Sequence, residues 1–209
     1  MLRELRLARR DPFARMALRA RVARPFRVRA FQHFGKGTIL HRPLWVARPH
    51  HISIGDWTLI FQGVWLAAVR EPPRPSAPLI RIGSRVNILP YCTIAAADSI
   101  VIEDDVAIAA FSLVIDADHT FERGTPNVMQ NPLSTAPVRV GQGTWIGQHV
   151  AVLCGSDIGR CCIIGANSVV RGTIPDYSIA VGAPARVVGS TRGWFEPTSE
   201  GRGGARTGC

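Results

Sequence analysis

The chain has 209 residues, 46% of them hydrophobic, which is enough to bury one principal core and leaves no room for a large fused second enzyme domain. Its formal charge of +10 is uneven, because residues 1–30 hold ten Arg against Glu4 and Asp11; a basic arm is attached to a nearly neutral body, a distribution that argues against a nucleic-acid-binding domain. The five cysteines, Cys92, Cys154, Cys161, Cys162 and Cys209, are odd in number and contain no C-x-x-C pair, so free thiols in a reducing compartment are expected rather than a disulfide framework or a structural zinc.

Residues 1–49 read as a basic arm and an irregular entry region. The first thirty residues lack the apolar core of about 7 to 15 residues that a secretory signal requires. The longest nearly apolar run, "AIAAFSLVI" at 107–115, falls short of the ~18 residues of a membrane span. A cytoplasmic protein is the expectation. Within the arm, Asp11 and Pro12 make an N-cap and first-turn pair, and Phe13, Met16, Ala17 and Ala20 follow at helical spacing before Pro25. That predicts a short basic amphipathic helix ending at Pro25. It would either cap an end of the fold, hiding unpaired strand edges, or hold the protein peripherally at an anionic inner-membrane surface.

From about residue 50 to 190 the pattern changes. "IGDWTL" at 54–59 followed by "IFQGVW" is a first echo, and the proline-rich "REPPRPSAP" at 70–78 reads as an expelled loop. Aliphatic residues then recur every six positions: Ile82, Ile88, Ile94 and Ile100; after a two-residue step Ile102, Ile108 and Val114; later Val140, Ile146, Val152, Ile158, Ile164 and Val170. Neither a helix nor an ordinary strand has that period. The next position is often small or acidic, as at Gly83, Glu103 and Gly147, and the fifth is often Val, Cys, Thr or Ser. This is a hexapeptide repeat, so the expected fold is all-β: a parallel β-helix with three hexads per turn. Ile146 should lie beneath Ile164, and Val140 beneath Ile158. No single coil buries its inner face alone, so several must stack.

In "VIDADHTFERGTPNVMQNPLSTAPVRVGQGTWIGQHV", residues 114–150, the rhythm lapses for about twenty residues beginning at His119. A loop over 120–137 is expected there. The tail 191–209 has glycine and charge without apolar period and reads as flexible.

Over roughly residues 50–190, and most tellingly in the stretch ending "GAPARVV", the chain resembles the hexapeptide-repeat acyltransferases, namely the maltose, galactoside and nodulation-factor O-acetyltransferases and the colanic-acid-type polysaccharide acetyltransferases. The resemblance implies a left-handed coil, a homotrimer with active sites between subunits, and acetyl-CoA as acyl donor. It places the catalytic histidine on His119, immediately before the loop. A neutral imidazole, with an ordinary pKa near ~6.5, is suited to take the proton of an attacking sugar hydroxyl. Asp116, Asp118 and Glu122 are near enough in sequence to orient that ring.

The resemblance further implies CoA contacts at Gln148, Ala166, Arg171 and Arg186, and an acceptor-side aromatic at Trp145. Leu89 stands where the galactoside branch has a sugar-binding asparagine, and Gly172 where it has a lysine. Asn87 is the remaining candidate amide for the acceptor, and Arg171 for the lost charge. His149 reads as a turn residue, and His33, His41, His50 and His51 are given no role. Gly124 interrupts the H-x-x-x-x-H pair of the γ-type carbonic anhydrases, which share the fold, so no metal is expected.

The function expected from the resemblance is acetyl transfer from acetyl-CoA to a hydroxyl of a saccharide or glycolipid precursor. The alternatives are N-acylation of a nucleotide-linked amino sugar and a non-catalytic β-helix used in assembly.

Overall fold

A strand of two or three residues cannot bury anything by itself, so the chain must bend every six residues and stack its aliphatic side chains on those of the coil below. The computed structural model describes residues 11–70, 77–121 and 127–193. Its strands form three parallel sheets that face one axis. The first sheet runs from His33–Phe34 through Ile52–Ile54, Ile80–Ile82, Ile100–Ile102, Val138–Val140 and Asp157–Ile158 to Thr173–Ile174. The second begins at Ile39–Leu40, contains Asn87–Ile88, Ala107–Ile108, Trp145–Ile146 and Ile163–Ile164, and ends at Ser178–Val181 with antiparallel Arg186–Ser190 added on. The third stacks Trp45–Ala47, Trp65–Ala68, Thr93–Ala96, Leu113–Ile115, Ala151–Val152 and Val169–Val170.

The register is the one the hexads dictate. Ile146 pairs with Ile164 and Val140 with Ile158. Ile82, Ile102, Ile108, Val114, Ile146, Val152 and Ile164 are all buried in one continuous aliphatic column. Fully burying such a side chain contributes about 1.5–3 kcal/mol, and the contribution exists only when the coils above and below are in place.

The fifth hexad position has its own logic. Its hydroxyls are buried, and four of them donate to a carbonyl of a neighbouring coil: Thr58 to Gly83 at 2.8 Å, Ser112 to Gly147 at 3.0 Å, Thr144 to Gly159 at 2.8 Å and Ser156 to Val170 at 3.1 Å. Buried polar groups are thus satisfied at the places where the corners narrow the interior. Cys92, Cys161 and Cys162 are buried, and burial pushes the Cys92 thiol up to about 11. At neutral pH such a thiol is a packing group.

Two of the three corners are invariant in length. Successive inward residues are six apart from the first sheet to the second (Ile82 to Ile88, Ile102 to Ile108, Ile158 to Ile164) and from the second to the third (Ile88 to Ile94, Ile108 to Val114, Ile164 to Val170). Each of these turns holds a left-handed residue, such as Arg85, Asp105 and Cys161 at one corner and Tyr91, Phe111 and His149 at the other. Gly63, at φ 73°, has its Cβ position 2.4 Å from the Tyr91 ring, so glycine there lets the ring lie flat on the coil. All variation in coil length falls at the third corner, and the long insertions lie between Leu66 and Ile82 and between Val114 and Val140.

Three expectations are corrected. The solenoid begins at His33, one coil before residue 50, because Phe34, Leu40 and Val46 already follow the six-residue period. The helix, α1, spans Pro12–Ala30 and passes through Pro25. Proline removes one helical donor, and the end of α1 is held by docking instead: Phe31 and Phe34 are buried, and the Arg24 guanidinium donates to the Gly35 carbonyl at 2.8 Å. Nor is α1 amphipathic, since Met16 is buried while Val22, Phe26 and Val28 face solvent among its arginines. At the other end, Thr191 is buried and donates to the Cys161 carbonyl at 2.6 Å, so order extends past residue 190. The rest of the expected tail, residues 194–209, lies outside the described residues, as do residues 1–10 of the arm.

Ile146→Asp is expected to abolish soluble folded protein, because it buries an unpaired carboxylate in the aliphatic column at a cost of several kcal/mol. Ile146→Val should cost only about 0.5–1.5 kcal/mol. Circular dichroism and denaturant unfolding of the two variants check the register; a folded Ile146→Asp protein would place that side chain outside the coil.

Candidate functional site

The excursion at the third corner is built, not merely extruded. Leaving the third sheet after Leu113–Ile115, the chain forms Ala117–His119, which pairs antiparallel with Leu133–Thr135; His119 stands opposite Leu133. The ordered base of the excursion therefore begins before residue 120, inside what the hexad count treats as repeat. Thr120 donates its hydroxyl to the Pro132 carbonyl at 2.9 Å, and the Asn131 amide donates to the Thr120 carbonyl at 2.8 Å. A one-turn helix at Val128–Gln130 lies beyond, and residues 122–126, with Glu122, lie outside the described residues. His119 is exposed at the last paired position of the hairpin.

What anchors the hairpin is Asp116. Its side chain is fully buried and turned inward, away from any role in orienting an exposed ring. The carboxylate accepts backbone N–H groups from Ala97 at 2.7 Å, Asp98 at 2.8 Å and Ser99 at 2.7 Å, so both oxygens are taken by the preceding coil. Burial pushes this carboxyl up, and the three amide donors pull in the opposite direction. Distances this short are those of charge-assisted bonds. The Ala136 amide closes the base by donating to the Asp116 carbonyl at 3.0 Å.

Asp118 is also engaged. Its carboxylate pairs with the Arg171 guanidinium at 3.1 Å, and both side chains are well exposed. Arg171, expected at the cofactor phosphates, thus stands on the third-sheet side beside the hairpin of His119. An exposed pair of this kind holds geometry more than stability, at about 0–1 kcal/mol.

The other expected residues gather elsewhere. Asn87 and Trp145 both flank Ala107 in the second sheet, one coil apart on either side, and both point outward. Gln148 and Ala166 occupy equivalent exposed positions of successive coils at the corner between the second and third sheets; the Gln148 carbonyl accepts from Asn167 at 2.9 Å. Gly147 makes this corner tight, because a Cβ there would lie 2.7 Å from the Ile164 carbonyl oxygen. Arg186 is exposed on the strand added to the second sheet and donates to the Ala185 carbonyl at 2.9 Å. Leu89, where an acceptor amide was sought, is at the edge of exposure and apolar.

The expected site residues therefore divide into two groups: His119 and Arg171 on the third-sheet side, Asn87, Trp145, Gln148, Ala166 and Arg186 on the second sheet and its corner. Between them runs a feature that the motif reading missed. The rings of Tyr91, Phe111 and His149 stack in successive coils, with centroids 5.2 Å apart at each step. His149 is part of this ladder and not a solitary turn residue. Its signal in the sequence is the spacing of the corner residues, each six after the previous corner. Among the described residues no group of three or more His, Cys, Asp or Glu is placed to hold a metal ion. No helix of the described residues is long and apolar enough to cross a membrane.

Comparison with known proteins agrees with this architecture. Residues 137–172 match the bacterial transferase hexapeptide (six repeats) family. The chain is similar to the probable acetyltransferase Rv3034c of Mycobacterium tuberculosis, with 37% identity over 172 residues, 82% of this chain and 54% of that protein. It is also similar to the putative lipopolysaccharide biosynthesis O-acetyl transferase WbbJ of Escherichia coli, with 34% identity over 117 residues, 53% of this chain and 60% of that protein. The chain thus spans somewhat over half the length of these curated relatives. Among solved structures, AntD, an N-acyltransferase from Bacillus cereus in complex with dTDP and coenzyme A, superposes with a TM-score of 0.66 at 21% identity, over 82% of this chain and 90% of that one. The shared fold is the all-β, left-handed parallel β-helix, and the matches fit the hexapeptide-repeat acyltransferase group that the sequence resembles.

Asp116→Asn should destabilise the chain by about 2–4 kcal/mol, because the amide turns an NH₂ toward at least one of the three backbone donors and leaves it without an acceptor. Denaturant unfolding measures the loss. Asp118→Asn, by contrast, should change stability by less than about 1 kcal/mol.

Proposed function

Starting from the transferase hexapeptide repeat carried by residues 137–172, we propose that this protein transfers an acetyl group from acetyl-CoA to a hydroxyl of a saccharide or glycolipid precursor, with His119 as general base. The observation that carries the reading is the placement of His119: an exposed imidazole on a paired strand, at the corner where the coil opens, with its support clamped to the coil below through Asp116. The relatives named above as acetyltransferases support the reaction class.

The chemistry asks little of the protein beyond placement. Acetyl-CoA supplies an activated thioester as acyl donor. The acceptor hydroxyl must lose its proton as its oxygen attacks the thioester carbonyl, and the free imidazole nitrogen of His119 takes it. Collapse of the tetrahedral adduct breaks the C–S bond; the CoA thiolate leaves and recovers a proton from the imidazolium, so the histidine ends as it began. This is a direct transfer in a ternary complex. Trp145 and Asn87 would line the acceptor side. Gln148 and Ala166 would border the pantetheine arm, whose amides can pair with exposed coil-edge backbone. Arg186, which donates to its neighbour's carbonyl, and Arg171, held by Asp118, are the guanidiniums for the phosphates.

The division of these residues between two sides of one chain supports a homotrimer in which His119 of one subunit faces the second sheet of the next. The outward residues of the third sheet point the same way. Trp45, Trp65, Thr93, Leu113, Ala151 and Val169 form a nearly apolar column, whereas the first sheet presents Arg81, Arg139 and Asp157, with Arg139 paired to Glu103 at 2.8 Å and to Asp157 at 3.0 Å. Apolar faces of this size mark contacts between proteins.

A second reading, N-acylation of a nucleotide-linked amino sugar, rests on the fold shared with AntD, an N-acyltransferase crystallised with dTDP. Leu89 in place of a sugar-binding amide is compatible with either acceptor. A panel of acceptors assayed for CoA-thiol release separates the two.

His119→Ala is expected to lower turnover by about 10²- to 10⁴-fold, equivalent to roughly 3–5 kcal/mol of barrier, without loss of folding. Unchanged turnover with an accepted sugar would remove His119 from the mechanism. Co-expression of His119→Ala with Trp145→Ala should restore on the order of a quarter of wild-type activity, since mixed cyclic trimers rebuild intact sites at that frequency. A site contained within one chain gives no such recovery.

A further inference from the structure

At the first coil, three coils below the hairpin, the chain concentrates positive charge that no described carboxylate answers. Helix α1 packs on the strands His33–Phe34 and Ile39–Leu40, and this junction brings Arg19 and Arg27 of the helix, together with Arg42, near enough to His41 of the first coil for their charges to act on it. Arg27 Nη1 is buried and has no hydrogen-bond partner among the described residues. The contrast with Arg24, one turn earlier on the same helix, is direct: its guanidinium donates to the Gly35 carbonyl and lies over the Phe34 ring. Arg19, Arg27 and Arg42 form no ion pair with a described carboxylate. Burial holds the His41 imidazole below its ordinary value, and each charged group acting on it, Arg42, Arg19 and Arg27, pushes the same way. Burial lowers the Arg27 guanidinium as well.

A buried guanidinium nitrogen without an acceptor, among like charges, is a state that proteins otherwise avoid. An anion resolves both defects at once. It supplies the missing acceptor to Arg27 Nη1 and screens the arginines from one another. A carboxylate brings one negative charge against three guanidiniums; a phosphate monoester or diphosphate brings about two near neutral pH, with oxygens matched to the planar guanidinium fork. The geometry points to a phosphate-binding site at the junction of α1 and the first coil, made by Arg19, Arg27, His41 and Arg42. Three strand steps separate this coil from that of His119, about 14 Å along the axis. The site is therefore distinct from the acyl-transfer centre of the same chain and does not depend on that reading.

Two sources present such a group: a soluble phosphate ester and the headgroup of an anionic lipid. The full-length chain titrated calorimetrically with inorganic pyrophosphate in about 0.15 M salt, where diffuse attraction is screened beyond about 8 Å, should show one saturable site per chain. Arg27→Gln and Arg42→Gln should each weaken it at least tenfold, a loss of about 1.4 kcal/mol or more, while Arg85→Gln, on the charged corner, leaves it unchanged. Arg42 is exposed, so its variant keeps the test valid if Arg27→Gln does not fold. Sedimentation with phosphatidylcholine vesicles containing phosphatidic acid then separates the sources. Capture that pyrophosphate competes away and that Arg42→Gln abolishes assigns the lipid headgroup; pyrophosphate binding without capture assigns a soluble phosphate. Absence of saturable pyrophosphate binding, or equal affinity in wild type and both glutamine variants, overturns the proposal.

Discussion

Registry between coils is the constraint on which everything else in this protein rests. Each parallel strand of the coil contributes only two to four residues, and its inward side chain is buried only because others stack on it along the axis. The parallel backbone ladder and the aliphatic column impose the same register, so an error in one is an error in both. The buried hydroxyls of Thr58, Ser112, Thr144 and Ser156 belong to this arrangement, since each bridges to a neighbouring coil.

That constraint decides where new chain can be inserted. Two corners carry left-handed residues at invariant spacing and cannot lengthen without shifting the strands that follow. The third corner absorbs the surplus of both long coils, at 69–79 and at 116–137, and the strands rejoin their sheets in register. The excursion bearing His119 leaves there for the same reason as the proline-rich loop. What distinguishes it is Asp116, which replaces an inward apolar residue by a carboxylate satisfied by three amides of the coil before. A loop tied down in this way can hold an imidazole at a set position.

The outer surface is divided as sharply as the interior is uniform. The first sheet and its corner carry paired charges, including Arg85 with Asp105 and Arg160 with Asp176, which suits contact with water. The third sheet is apolar, and the second holds the outward Trp145 and Asn87. At the beginning of the coil, Arg19 and Arg27 of α1 and Arg42 gather about His41 with no described carboxylate paired to them. Three surfaces with three chemistries on one coil offer separate places for solvent, for the proposed subunit contact and for the proposed anion.

Much of this could be read from the residues in order. A six-residue period has one economical physical solution, so the hexads from Ile82 to Val170 determined the parallel coil, its register and the position of the break at His119. The same period in Phe34, Leu40 and Val46 was present but hidden by an aromatic and by irregular neighbours, and Pro25 obscured a helix that docking carries through. Other features depend on contacts that no local pattern encodes. The inward turn of Asp116 is set by amides at 97–99, the pairing of Asp118 with Arg171 by residues 53 apart, and the unanswered Arg27 nitrogen by the packing of α1 on the first coil. Periodicity specifies what repeats along the axis, because each coil meets the same neighbours. Where the repeat is broken, a side chain's partner lies a coil or more away in sequence, and only the folded arrangement decides which one it finds.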